Sequence, residues 1–261
     1  TEGDNPVILA SGATISDVDS EDFALGLLTV RVLVNSQTTD RLSIRNDGIA
    51  PGDIGVSGTN VLYGNVVIGS FSGTTTLTVT LNANANAASV QALLRNVTFH
   101  SISLAPSTST RTISATLTDG DGGTSTTATT SLNVLAVNSA PAIGAFDTTA
   151  TYVENGAPVL LDTNATVSDV DSQDFSGGIF SVTLTDGGEN SDRLAVRNQG
   201  TAANQVGVIG TQLSFGGTPV GTIFGGSSGS DPLQVVFNAN ATPATVQAVL
   251  RNITFNNVSQ N

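Results

Sequence analysis

The chain has 261 residues, a formal net charge of −13 and a sequence pI of about 4.1. All eight basic residues are Arg; the basic clusters that nucleic acid or an anionic membrane surface would need are missing, and Lys Schiff-base chemistry and Lys–Asn cross-links are excluded. Without Cys there are no disulfides and no thiolate metal sites.

The absence of Met marks the expected product as a processed or excised piece, and the absence of Cys suits a bacterial extracellular setting better than a small disulfide-stapled animal domain. No apolar run has transmembrane length, so direct membrane insertion of this segment is not expected. Charged residues make up only 11%. Alternating stretches such as Leu77-Thr78-Val79-Thr80-Leu81 nevertheless indicate β-structure with long polar turns.

Residues 16–23 read SDVDSEDF and residues 168–175 read SDVDSQDF, an offset of 152 residues between Asp17 and Asp169. The repeat predicts two domains, 1–139 and 140–261. Glu2 matches Glu154 at the same offset. The lead-in 146–153 has no counterpart ahead of Glu2, so the first unit is expected to lack an opening strand.

In chain order, strands are expected at Val7–Ile15 and Val159–Val167, then at Leu27–Val34 and Ile179–Thr185 on either side of the acidic stretches. Asp40-Arg41-Leu42 and Asp192-Arg193-Leu194 open the next pair. Short Gly-punctuated strands follow at 61–63, 66–71, 212–215 and 220–224. Val90, Leu93, Leu94 and Val97 fall at i, i+3, i+4 and i+7, as do Val246, Val249, Leu250 and Ile253, which predicts one short helix per unit. Thr242 is placed to cap the second helix, with Pro243 at its first position. Asn96 and Asn252 are expected as left-handed stops. The strands 97–102 and 253–258 come next, and only the first unit continues into a hairpin, 111–118 and 125–137, turning at Asp119-Gly120-Asp121-Gly122-Gly123. The expected fold class is therefore all-β, with antiparallel sheets and one short helix in each of two tandem domains.

The acidic clusters Asp17/Asp19/Asp22 and Asp169/Asp171/Asp174 are candidate calcium ligands, because Ca²⁺ takes six to eight oxygens and an Asp-x-Asp turn offers alternate carboxylates on one side. Asp119 and Asp121 are expected beside the first cluster. A nine-residue strand spans about 30 Å, which would keep Glu154 away from Asp169 within one domain. Glu2 and Asn138 are instead expected to share a site with Asp169, Asp171 and Asp174. The competing reading is that these acids only form turns, since Asp and Asn bond their own backbone there.

Glu154-Asn155-Gly156, Asp169-x-Asp171, Asp119-Gly120-Asp121-Gly122-Gly123 and Val137-Asn138-x-Ala140-Pro141, taken together, resemble the cadherin-like tandem repeats of very large bacterial surface adhesins and matrix fibres. The resemblance implies Ig/cadherin-like β-sandwich domains strung end to end, with calcium stiffening the junctions. Ser139 stands where such repeats commonly carry Asp, which removes one ligand.

The function expected is structural: a repeat segment of an extracellular or cell-surface bacterial adhesin, fibre or biofilm-matrix protein, partnered by neighbouring repeats or by copies that complete one another's open sheet edges in a filament. The rival is a calcium-dependent carbohydrate-binding module acting on surface glycans, against which stand the absence of Trp and the presence of only two Tyr. No catalytic role is expected, because the SDVDS acidic cluster is duplicated and His100, the single histidine, aligns with Asn256.

Overall fold

A computed structural model describes residues 5–146 and 149–259. Glu2, a candidate ligand, lies outside the described residues. The chain divides into two compact units, residues 1–137 and 138–261. The regular structure of each is antiparallel strands with one short helix.

In the first unit, β1 (Val7–Ile8), β2 (Leu27–Val34) and β3 (Asp40–Ile44) are followed by β4 (Ile54–Ser57), β5 (Asn60–Tyr63), β6 (Val66–Ser72) and β7 (Thr76–Leu81). Helix α1 (Ala87–Arg95) leads into β8 (Val97–Ser101), and the hairpin β9 (Arg111–Leu117) and β10 (Ala128–Leu132) ends the unit. One sheet has the order β1-β8-β3; the other runs β10-β9-β2-β7-β6-β5-β4. Period-two alternation decides which side chains enter the core: Leu28, Val30 and Val32 of β2 are buried while Thr29 and Arg31 point away. Leu42 and Phe99 from the smaller sheet join Leu77, Val79 and Ile113 from the larger one in a single buried cluster.

The second unit repeats the run from β1 to β8 with two added strands and, among the described residues, no counterpart of β9 and β10. Its strands are β11 (Ala142–Gly144), β12 (Val159–Leu160), β13 (Thr166–Ser168), β14 (Ile179–Val182) and β15 (Asp192–Val196). They continue with β16 (Val206–Ile209), β17 (Gln212–Phe215), β18 (Thr218–Phe224) and β19 (Leu233–Phe237), then α2 (Pro243–Leu250) and β20 (Ile253–Asn257). The sheets are β12-β20-β15, β14-β19-β18-β17-β16 and the pair β11-β13. Val196, Leu213, Val235, Val249 and Ile253 share its core.

Three expectations need correction. The strands anticipated at Val7–Ile15 and Val159–Val167 are each broken. In the second unit Asp162 Oδ1 accepts the N–H groups of Asn164 (2.8 Å) and Ala165 (2.5 Å), which turns the chain between β12 and β13. The lead-in strand is β11 at Ala142–Gly144, upstream of the expected stretch, and it pairs with β13 through Ile143 and Val167.

The helices also end differently. Asn96 has φ −105° and is not left-handed. Its Nδ2 donates to Ala92 O (3.0 Å) and its Oδ1 accepts from Arg45 Nε (2.8 Å). Asn252 repeats both bonds with Ala248 O (2.8 Å) and Arg197 Nε (2.9 Å). Each Asn thus joins a helix end to the strand beside it. Arg95 and Arg251 likewise reach across to backbone carbonyls, Ala13 O and Ala165 O, both at 2.7 Å. At the helix starts, Thr242 Oγ1 accepts Thr245 N–H (3.3 Å) ahead of Pro243. Asn86 and Ser89 form a reciprocal capping box on α1.

Candidate metal centre

In the second unit the acidic turn is built from backbone bonds to Asp169. Its Oδ1 accepts the N–H groups of Asp171 (3.2 Å) and Ser172 (2.9 Å). The bond from Ser172, then that from Asp171, holds the Asp169 carboxyl below the ordinary 3.8, against the upward push of burial. Asp174 Oδ1 accepts Ser176 N–H (2.9 Å), and Phe175 N–H bonds to Ala241 O (2.8 Å), which ties the end of the turn to the segment entering α2.

The pairing of β11 with β13 starts at Ala142 opposite Ser168 and draws residues 138–141 alongside this turn. Ser139 N–H donates to Asp171 Oδ2 (2.8 Å), and Ser172 Oγ donates to Asn138 Oδ1 (3.5 Å). Asn138, Asp169 and Asp174 face one cavity of about 460 Å³. Asp171 Oδ1 is buried and has no hydrogen-bond partner; among the described residues only His100 Nδ1 shares that condition. An unsatisfied buried carboxylate oxygen is costly.

The first unit forms the same turn. Asp17 Oδ1 accepts Asp19 N–H (3.2 Å) and Ser20 N–H (3.1 Å), and Asp22 Oδ1 accepts Ala24 N–H (2.8 Å). The backbone donors, Asp19 first, lower the Asp17 carboxyl. Asp19 is raised, first by the hydrogen bond that its protonated form gives to Asp17, then by the Asp17 charge, with Asp119 adding repulsion.

The hairpin turn packs against this region. A Cβ on Gly120 would lie 1.9 Å from Ala24 O, and one on Gly26 would lie 2.3 Å from Thr118 O. Asp17 and Asp119 line one cavity of about 240 Å³. Asp119 Oδ1 accepts from Asp121 N (2.8 Å), Gly122 N (3.0 Å) and Gly123 N (2.9 Å), so it is a turn former whatever else it does. The Asp121 side chain is exposed.

Among the described residues, no group of three or more Asp, Glu or His side chains is arranged to hold a metal ion. The acids gather as Asp17 with Asp19 and Asp119, and as Asp169 with Asp171 beside Asn138. Glu154 sits on an exposed turn, where Gly156 N–H bonds to Val153 O (2.8 Å), and it does not line the cavity that Asp169 and Asp174 face. The donors near Asp171 are carboxylate, amide and hydroxyl oxygens, the set a hard cation prefers.

Sequence reasoning missed a second carboxylate pair. Asp40 and Asp192 are both buried. Asp40 is paired with Arg111 in the first unit; Asp192 has no cationic partner among the described residues of the second. The Asp-Arg-Leu string is repeated in the sequence, but the adjacent Arg41 and Arg193 are not the partners of these carboxylates. Those two only bond nearby carbonyls, Thr38 O and Asn190 O, each at 2.7 Å.

No family model, no curated protein and no solved structure matches the chain. No helix among the described residues is long and apolar enough to cross a membrane.

Proposed function

We propose that the chain is a structural segment of an extracellular repeat protein, two β-sandwich units of a bacterial adhesin or matrix fibre, in which a calcium ion fixes residues 138–139 to the acidic turn. The observation that carries this reading is Asp171. One of its oxygens holds the Ser139 backbone, and the other is buried with no donor. A cation there would satisfy that oxygen, and Asp169, Asp174 and Asn138 line a cavity at the same turn. Backbone carbonyls and water would complete the oxygen shell. Ser139 in place of an acid leaves the ligand set short of charge, which points to weak binding of the kind met in extracellular modules.

In the first unit the cation would relieve the Asp17–Asp19–Asp119 repulsion. The sandwich assignment draws support from the single buried cluster that each unit builds from its two larger sheets. Duplication of the turn on a scaffold of strands favours a mechanical role over a single active site.

Thermal unfolding in millimolar calcium and then in chelator tests the reading. The expected result is a rise in Tm with calcium that D171N removes, by linkage of binding to folding. Identical melting curves in both buffers would overturn it and leave the acids as turn formers.

A further inference from the structure

The two units are each other's control at one sheet edge. In the first unit β2 is paired on both sides, by β7 and by β9. In the second unit β14 pairs with β19 on one side, and among the described residues no strand pairs with the other. The consequence is visible in the apolar row that faces the core. Leu28, Val30 and Val32 are 1%, 2% and 7% exposed. Their counterparts Phe180, Val182 and Leu184 are only partly buried. On the opposite face Ile179 is 64% exposed against 39% for its counterpart Leu27, and the strand is four residues long where β2 has eight.

The first unit also shows what covers such an edge. Along β9, Leu117 lies opposite Leu28, Ala115 opposite Val30 and Ile113 opposite Val32. Arg111, at the head of the strand, inserts its guanidinium beside Asp40, with Nη2 at 3.3 Å from Oδ1 and Nε at 3.4 Å from Oδ2. Its Nη1 donates to Ser109 O (2.9 Å) and to Ser107 O.

Asp192 reproduces the Asp40 end of this arrangement. Asp40 accepts Gln37 N–H (2.9 Å) on Oδ2, and Asp192 accepts Glu189 N–H (2.7 Å) on the same atom. Asp192 is 5% exposed, and among the described residues its Oδ1 is met by the neutral amide of Asn257 (2.7 Å). A buried carboxylate facing an amide, with no cation, is a poor arrangement for a charge removed from water.

We infer that the free edge of β14, together with the Asp192 pocket, is an acceptor site for an arginine-led β-hairpin of the chemistry of residues 107–134, supplied from outside residues 138–261. The incoming strand adds antiparallel to Ile179–Val182. Its Leu, Ala and Ile positions cover Phe180, Val182 and Leu184, and its Arg forms the ion pair with Asp192. Backbone bonds supply affinity; the Arg sets register, because a shift of one residue would turn the apolar row outward. This acceptor site follows from the internal repeat and is independent of cation binding.

The test is binding of a labelled peptide with the sequence of residues 107–134 to the full chain. Expected are one peptide bound per chain, slowed amide exchange in Ile179–Val182, and at least tenfold weaker binding either for the D192N chain or for a peptide carrying R111M, with the two changes non-additive. Should D192N fail to fold, the peptide variant carries the same test. A second measurement joins the hairpin sequence through a flexible linker after residue 261; the melting of the second unit should rise, and R111M in the added hairpin should cancel the rise. Absence of binding at millimolar peptide, equal binding by the R111M peptide, or protection elsewhere in the chain would each overturn the proposal.

Discussion

Arg111 and Asp40 form an ion pair from which water is excluded on both sides, with Nη2 and Oδ1 3.3 Å apart and neither side chain exposed. Its geometry is bidentate, and backbone carbonyls at Ser107 and Ser109 take up the Nη1 donors. R111M should therefore destabilise the first unit by about 3–5 kcal/mol, because it leaves Asp40 charged and buried. Adding D40L should return much of that loss, since two apolar groups do not carry the desolvation cost of one orphaned charge. Urea unfolding of the three variants checks both statements. A cost below about 1 kcal/mol for R111M would show that the pair is not buried in solution.

The helix-end asparagines give a sharper test, because two accounts of them predict opposite outcomes. As left-handed stops, they would tolerate Gly well. In the structure Asn96 bonds both Ala92 O and Arg45 Nε. N96G should then cost about 1–3 kcal/mol, close to N96A, because each removes both bonds, one of them to a charged guanidinium. N252G should behave alike, through Ala248 O and Arg197 Nε.

That contrast marks how far the sequence could be read. Strand alternation and the 152-residue offset were legible because burial on one face imposes period two, and because a duplicated turn leaves a duplicated string. The Asx turns at Asp17 and Asp169 were legible for the same reason. Asn96 was misjudged because its role depends on Arg45, which lies 51 positions earlier and only meets it across β3 and β8. Asp40 and Arg111 are 71 positions apart, and nothing local distinguishes Arg111 from any other strand-end cation. The break at Asp162 was hidden because Leu160, Leu161 and Ala165 keep an apolar run on both sides of a turn that one side chain makes.

Gly69 and Gly221 occupy equivalent places where neighbouring strands cross closely. A Cβ on Gly69 would stand 2.4 Å from Thr80 O, and one on Gly221 would stand 2.5 Å from Val236 O. Neither has a positive φ, so the constraint is space rather than backbone freedom. G69A and G221A should each cost about 1–3 kcal/mol by forcing the strands apart. Gly12 has nothing within 4 Å of its Cβ position. G12A should be neutral or stabilise by about 0.4–1 kcal/mol through the unfolded chain. Thermal unfolding of the three single variants, in one buffer, separates the two effects.

Asp17 and Asp19 should respond to pH with opposite signs. Asp17 is lowered by the backbone N–H groups of Asp19 and Ser20, so its contribution is full above the ordinary 3.8 and is lost as pH falls through its depressed value. Asp19 is raised by its hydrogen bond to Asp17 and by the Asp17 charge. Its contribution is full below 3.8 and is lost as pH rises through its raised value, leaving repulsion at neutral pH. In chelator at pH 7, D17A should lower Tm while D19N should leave it unchanged or raise it. In millimolar calcium the order should reverse for D19N, which removes an anionic ligand and forfeits the gain that the unaltered chain shows. A D19N variant that melts lower in chelator and still gains from calcium would mean that Asp19 is held by contacts other than Asp17, and that the first acidic turn takes no cation.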